Sequence, residues 1–149
     1  STLNETDVGI ETALNFCKTG QPLSDAVKLE GNLPASNYSA QMLPSDARGV
    51  PTVLTNKSTF DSSGNFTAAK PIATTGANPS EIRYVIDRLC LNAGAVEPET
   101  CRLTSISPAD ASVDTRNDNS ARSSPLYRLT ARVDGPKNTI AYSQVIFSN

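Results

Sequence analysis

At 149 residues, with 38% hydrophobic content and no Trp, the chain is sized for one domain with a modest core and a polar surface. A formal charge of -2 and an isoelectric point near 5.1 argue against a surface built for nucleic acid or anionic membrane. The absence of histidine removes Ser-His-Asp and Cys-His nucleophile pairs, the commonest general base, and most zinc and copper sites. No catalytic residue, cofactor or metal is therefore expected, and the chain reads as a non-enzyme. Catalysis by paired carboxylates stays open as a separate class. The Asp and Glu residues, however, are scattered in loop-like company and read as solvated surface charge. No apolar run approaches the roughly 18 residues that span a bilayer, so the chain itself is expected to be soluble.

The chain opens directly into a helical pattern over residues 2–18, with no Met and no leader ahead of it. Leu3, Ile10, Ala13, Leu14 and Cys17 share one face, while Glu5, Asp7, Glu11, Asn15 and Lys18 point elsewhere. That spacing predicts an amphipathic helix lying on a core. Gly20 and Pro22 stop it, since Gly accepts the left-handed C-terminal conformation and Pro cannot continue the ladder. Val8 lies opposite the stripe and Phe16 well off it. They are either ordinary exposed apolar residues or a contact with a partner outside the domain.

Residues 21–80 are punctuated by Pro22, Pro34, Pro44, Pro51, Pro71 and Pro79, with Gly31, Gly49, Gly64 and Gly76 between them. They predict a long connection of short helical turns and short strands packed over a sheet, since a structureless loop of this length is unusual in a compact domain. Asn37-Tyr38-Ser39, Asn56-Lys57-Ser58 and Asn65-Phe66-Thr67 match the glycosylation sequon, a chance match in so Asn/Ser/Thr-rich a chain. The stretch Asp61-Ser-Ser-Gly-Asn65 lacks the remaining acids of a calcium loop and reads as a turn.

Residues 82–89 are ambiguous. Ile82, Val85, Ile86 and Leu89 keep helical spacing behind an Asn-Pro-Ser-Glu start, yet IRYVI is rich in β-formers and Ile82, Tyr84 and Ile86 alternate with Arg83 and Asp87. Cys90 and Cys101 then enclose LNAGAVEPET, a spacer that Gly94 and Pro98 can turn back on itself. A Cys90–Cys101 disulfide is expected, with a stabilisation of about 2–4 kcal/mol; two reduced thiols are the alternative. Cys17, on the helical stripe, is left as a small core residue.

Residues 107–125 are polar, carry Asp110, Asp114 and Asp118, and read as an exposed loop. The final stretch is clearer. Leu129, Ala131 and Val133 alternate with Arg128, Thr130 and Arg132, Asp134 to Asn138 turns the chain, and IAYSQVIF follows. This predicts an antiparallel hairpin.

The order resembles the head of a type IV pilin or pseudopilin, and specifically the minor pilins of the PilX family. The resemblance lies in LNETDVGIETALNFC, NYSAQMLPSDARGVPTVL, RYVIDRLC and YRLTARVDGPKNTIAYSQVIF, the most specific part being Tyr-Arg-hydrophobic-Thr-x-Arg, a Gly-bearing turn and a last strand. It implies an α+β fold: an N-terminal helix on an antiparallel sheet, a long αβ connection and a C-terminal hairpin. The divisions within the single domain are then residues 1–19, 20–80 and 81–149, with 82–89 a strand. The implied role is structural, namely pilus assembly through contacts with other minor pilins and the major pilin. Such a complex primes the pilus, caps it and can carry a large tip adhesin. An apolar helix half ahead of Ser1 would hold the subunit in the bacterial inner membrane before it enters the extracellular pilus. Val8 and Phe16 become candidate interface residues, and no nucleic-acid partner is expected. A secreted β-rich adhesin or ligand-binding domain is the alternative.

Overall fold

The computed structural model describes residues 28–68, 71–104 and 124–148. The expected helix over residues 2–18, with Val8, Phe16 and Cys17, lies outside the described residues, as do Asp110, Asp114 and Asp118. Within them the protein is mixed α and β, with little helix and a core dominated by one sheet of five strands.

The ambiguous run is strand. Its β-branched and aromatic residues form β3, Glu81–Arg88, flanked by two-residue strands β1, Tyr38–Ser39, and β2, Ile72–Ala73. The hairpin consists of β4, Leu126–Asp134, and β5, Ile140–Ser148, joined through a tight turn at Pro136–Asn138. Lys137 and Asn138 both take positive φ in that turn. The sheet order is β1-β3-β4-β5, with β2 sharing the β1 edge of β3. β1 runs parallel to β3, and every other pairing is antiparallel.

The register sorts the side chains into two faces. Tyr84 and Ile86 stand opposite Ala131 and Leu129, which stand opposite Ser143 and Val145. Tyr84, Ile86, Leu129 and Ala131 form the first core cluster with Leu29, Tyr38, Ala40, Ala68 and Tyr127, and Val145 packs against it. Arg83, Val85 and Asp87 stand opposite Arg132, Thr130 and Arg128 on the other face. There Val85 packs with Val50, Leu54, Phe60 and Phe66, and the two phenylalanine rings stack 5.9 Å apart.

Both faces are therefore covered, and at Asp87 the expectation that the acids are solvated surface charge fails. Arg83, Arg128 and Arg132 are buried, and Asp87 is 0% exposed. The cover on their face is part of the Pro-rich connection, chiefly the helical turn Thr52–Leu54 and α1, Lys57–Ser62, a helix of a turn and a half; the described part of the connection also has a helical turn at Pro34–Ser36 and short strands.

Two of the sequons turn out to have structural work. Asn56 caps α1, its side-chain oxygen accepting from the Ser58 and Thr59 N–H groups at 2.9 and 3.2 Å. Asn37 is 1% exposed with φ of 52°, a left-handed conformation that Asn tolerates better than most residues. Its amide donates to the Tyr84 carbonyl at 2.9 Å, and its side-chain oxygen accepts from the Ala68 N–H at 3.1 Å. A glycan has no room there.

Tyr38 is buried beside Tyr127 and donates from its hydroxyl to the Leu29 carbonyl at 2.7 Å. Burial pushes both hydroxyls above the usual tyrosine range. Neutral tyrosine is thus favoured in the fold, while in the unfolded chain it ionises near pH 10. Stability is present below that pH and lost as pH rises above it. Urea midpoints measured between about pH 8 and pH 11 should fall above about pH 10, less steeply in Tyr38→Phe.

Candidate functional site

The most constrained part of the molecule is the charged face of the sheet. Asp87 and Arg128 are cross-strand partners, and the guanidinium meets both carboxylate oxygens at 2.9 and 2.6 Å. One of those oxygens also accepts the Leu43 N–H at 2.8 Å. Arg128 has donors to spare, and they reach the carbonyls of Gly49 at 3.3 Å and Leu43 at 3.4 Å. A planar guanidinium with five donors is the side chain able to serve a carboxylate and backbone carbonyls at once.

Gln144 on β5 donates to the same Gly49 carbonyl at 2.9 Å and to the Thr130 hydroxyl, also at 2.9 Å. Gly49 takes φ of 82°, which a residue with a side chain adopts only with strain. The loop that presents it is closed by Asp46, whose carboxylate accepts from the Arg48 and Val50 N–H groups at 2.9 and 3.0 Å. These bonds, the Val50 amide foremost, hold the partly exposed Asp46 carboxyl below its ordinary range.

At the other end of this face the charges lie in like-signed rows across the strands. Glu81 pairs with Asp134 and Arg83 with Arg132, so like charges lie directly opposite and unlike charges lie diagonal or adjacent. Arg83 binds Asp61 bidentately, at 2.8 Å twice, and reaches Glu81 at 3.2 Å and Asp134 at 3.3 Å. Arg132 binds Asp134 and donates to the Leu54 carbonyl at 3.0 Å. Asp61 beside Arg83, and Asp134 beside Arg132, hold the two guanidinium pKa values above their usual level. Asp61, singled out as part of a conceivable calcium loop, is thus committed to Arg83 from the end of α1. A groove of about 380 Å³ beside Glu81 and Asp134 is also lined by Lys57, Thr74 and Ser80. Both oxygens of Asp134 already accept from arginine, which leaves it a poor general base.

The expected disulfide is present: Cys90 and Cys101 are bonded, and both are buried. Outside it the loop is exposed, Leu91 at 58%. The loop is nonetheless tethered. Arg88, buried at the end of β3, donates to the Ala40, Asn92 and Gly94 carbonyls at 3.0, 3.4 and 2.7 Å. The Gly94 N–H donates to the Glu30 carbonyl at 2.8 Å, with Gly94 at φ of 104°.

Of the residues expected to matter, the structure brings Cys90 and Cys101 together, while Val8 and Phe16 lie outside the described residues. Reading the sequence missed Asp87, Arg88 and the roles of Arg83 and Asp61. The only signal for Arg83, Asp87 and Arg88 was charge inside a run of β-formers, and Asp61 carried none. Among the described residues, no group of three or more His, Cys, Asp or Glu side chains is placed to hold a metal ion. No described helix is long and apolar enough to cross a membrane. No protein-family model, curated protein or solved structure matches the chain.

Two measurements test this site. Truncating Asp87→Ala leaves a guanidinium buried without its carboxylate and should cost about 3–5 kcal/mol by urea unfolding. The double change Asp87→Leu with Arg128→Met should cost less than the single one. Separately, thiol titration of unfolded, unreduced protein should count no more than one free thiol among the three cysteines, and reduction should lower the stability by about 2–4 kcal/mol.

Proposed function

We propose that this chain is the head of a minor pilin of the PilX family, a structural and non-catalytic subunit of a type IV pilus. The observation behind this reading is where the resembling stretches fall. Residues 37–54, 83–90 and 127–147 are far apart in the sequence, yet they supply the two halves of one clamp. Arg128 and Gln144 come from the hairpin, Asp87 from β3, and Leu43, Gly49 and Leu54 from the connection. A resemblance carried by fold-determining residues argues for shared architecture more strongly than one carried by exposed ones.

In this reading the amphipathic N-terminal helix lies on the apolar sheet face that holds Ile82, Tyr84, Ile86, Leu129, Ala131 and Val133. An apolar continuation ahead of Ser1 anchors the subunit in the inner membrane before assembly. Val8 and Phe16 then face other minor pilins or the major pilin. The disulfide loop and residues 107–125 are the surface offered to further partners, including a large tip adhesin.

The test is assembly against folding. Val8→Asp and Phe16→Asp should reduce surface piliation at least tenfold while shifting the melting temperature of the purified chain by less than about 2 °C, the effect of a small surface change. A large drop in melting temperature would place these residues in the core and remove the interface assignment. A gene encoding a cleaved secretory signal in place of an apolar segment of about 20 residues before Ser1 would favour the secreted adhesin reading.

A further inference from the structure

β5 is the outermost strand among the described residues, and it lacks the devices that usually protect such an edge. From Ile140 to Ser148 it contains no charged residue and no proline. Ile140 and Ile146 are 51% and 52% exposed.

The hydrogen-bond phase of the strand follows from its turn. The Gly135 N–H donates to the Thr139 carbonyl at 2.8 Å, so 135 and 139 form a bonded pair. Bonded pairs alternate along an antiparallel ladder, and the next are Val133–Ala141, Ala131–Ser143, Leu129–Val145 and Tyr127–Phe147. Ile140, Tyr142, Gln144, Ile146 and Ser148 therefore turn their N–H and C=O groups away from β4.

We infer that this edge pairs with β5 of a second copy of the chain, antiparallel, about a two-fold axis at Ser143. In that register Ile140 of each copy stands opposite Ile146 of the other, and Tyr142 stands opposite Gln144. All four belong to the set with outward backbone groups, so the pairs that meet are bonded pairs. Both exposed isoleucines are covered on the same face by one operation. The register is self-complementary, each isoleucine meeting the other copy's isoleucine through one two-fold, which is the reason a second copy suits this edge; the strand itself carries no charge, and the Arg48 guanidinium stacks on Tyr142, 5.5 Å from the ring centre. The result is one sheet continuous through the dimer. Strand pairing alone buries less than a standard interface, so the dimer is weak and depends on concentration. This inference does not rest on the pilin reading.

Sedimentation equilibrium of the 149-residue chain from about 10 μM to about 1 mM should show a reversible monomer–dimer equilibrium, in keeping with a small interface. Ile146→Lys should weaken it at least tenfold with only a small drop in melting temperature, since the side chain is half exposed while the new charge stands opposite Arg128. In a Cys17→Ser background, Ser143→Cys should form an intermolecular disulfide under mild oxidation, since the two-fold brings that position against itself in a close, non-bonded pair. A chain that stays monomeric throughout the range overturns the inference. So does a dimer that Ile146→Lys leaves intact, which would place the contact on another surface.

Discussion

The fold depends on a single buried carboxylate. Among the described residues Asp87 is the one fully buried acid on the charged face, and it is served by Arg128 from the neighbouring strand and by the Leu43 amide from the connection. Removing two charges from water is expensive unless nearly every donor and acceptor is matched. Here the surplus donors of Arg128 are matched by the carbonyls of Leu43 and Gly49, so the ion pair can stay buried only while the connection is in place. A long, proline-rich segment that would otherwise be free to wander is thereby held to one path across the sheet.

Arg132 repeats the device further along the same face. It binds Asp134 within its own strand and spends another donor on the Leu54 carbonyl. Between the two arginines lies the apolar patch of Val50, Leu54, Phe60, Phe66 and Val85. This layer is small, and area burial alone would specify its position weakly. The arginines supply direction, because hydrogen bonds to particular carbonyls fix where the loop sits in a way that apolar contact does not.

The hairpin was legible in the sequence because its signals are local: period-two alternation, a Gly-Pro turn, and a β-rich run on each side. The disulfide was legible for a similar reason, a short turn-bearing spacer between its cysteines. β3 was not decidable from pattern, because a strand buried on both faces loses its alternation; Val85 sits on the charged face and mimics helical spacing with Ile82 and Ile86. The burial of Arg83, Arg128 and Asp87 was hidden for a different reason. Their partners are distant in sequence, and several are backbone carbonyls, which any residue possesses. The most specific part of the pilin resemblance, Arg128-Leu-Thr-Ala-Arg132, does coincide with the clamp. Pattern could single it out without revealing what it grips.

The tethering of the disulfide loop separates its anchorage from its tip. Arg88 holds the near limb through the Asn92 and Gly94 carbonyls, and the Gly94 amide is joined to Glu30. The far limb is closed by the Glu97 carbonyl, which accepts from the Thr100 and Cys101 amides. Ala95 and Val96, exposed between these two anchors, contribute no backbone bond to either. Lengthening the chain at that point costs only the slow, logarithmic entropy of a larger loop. The tip is therefore the place where this scaffold can acquire new sequence, and so new specificity, without renegotiating its core.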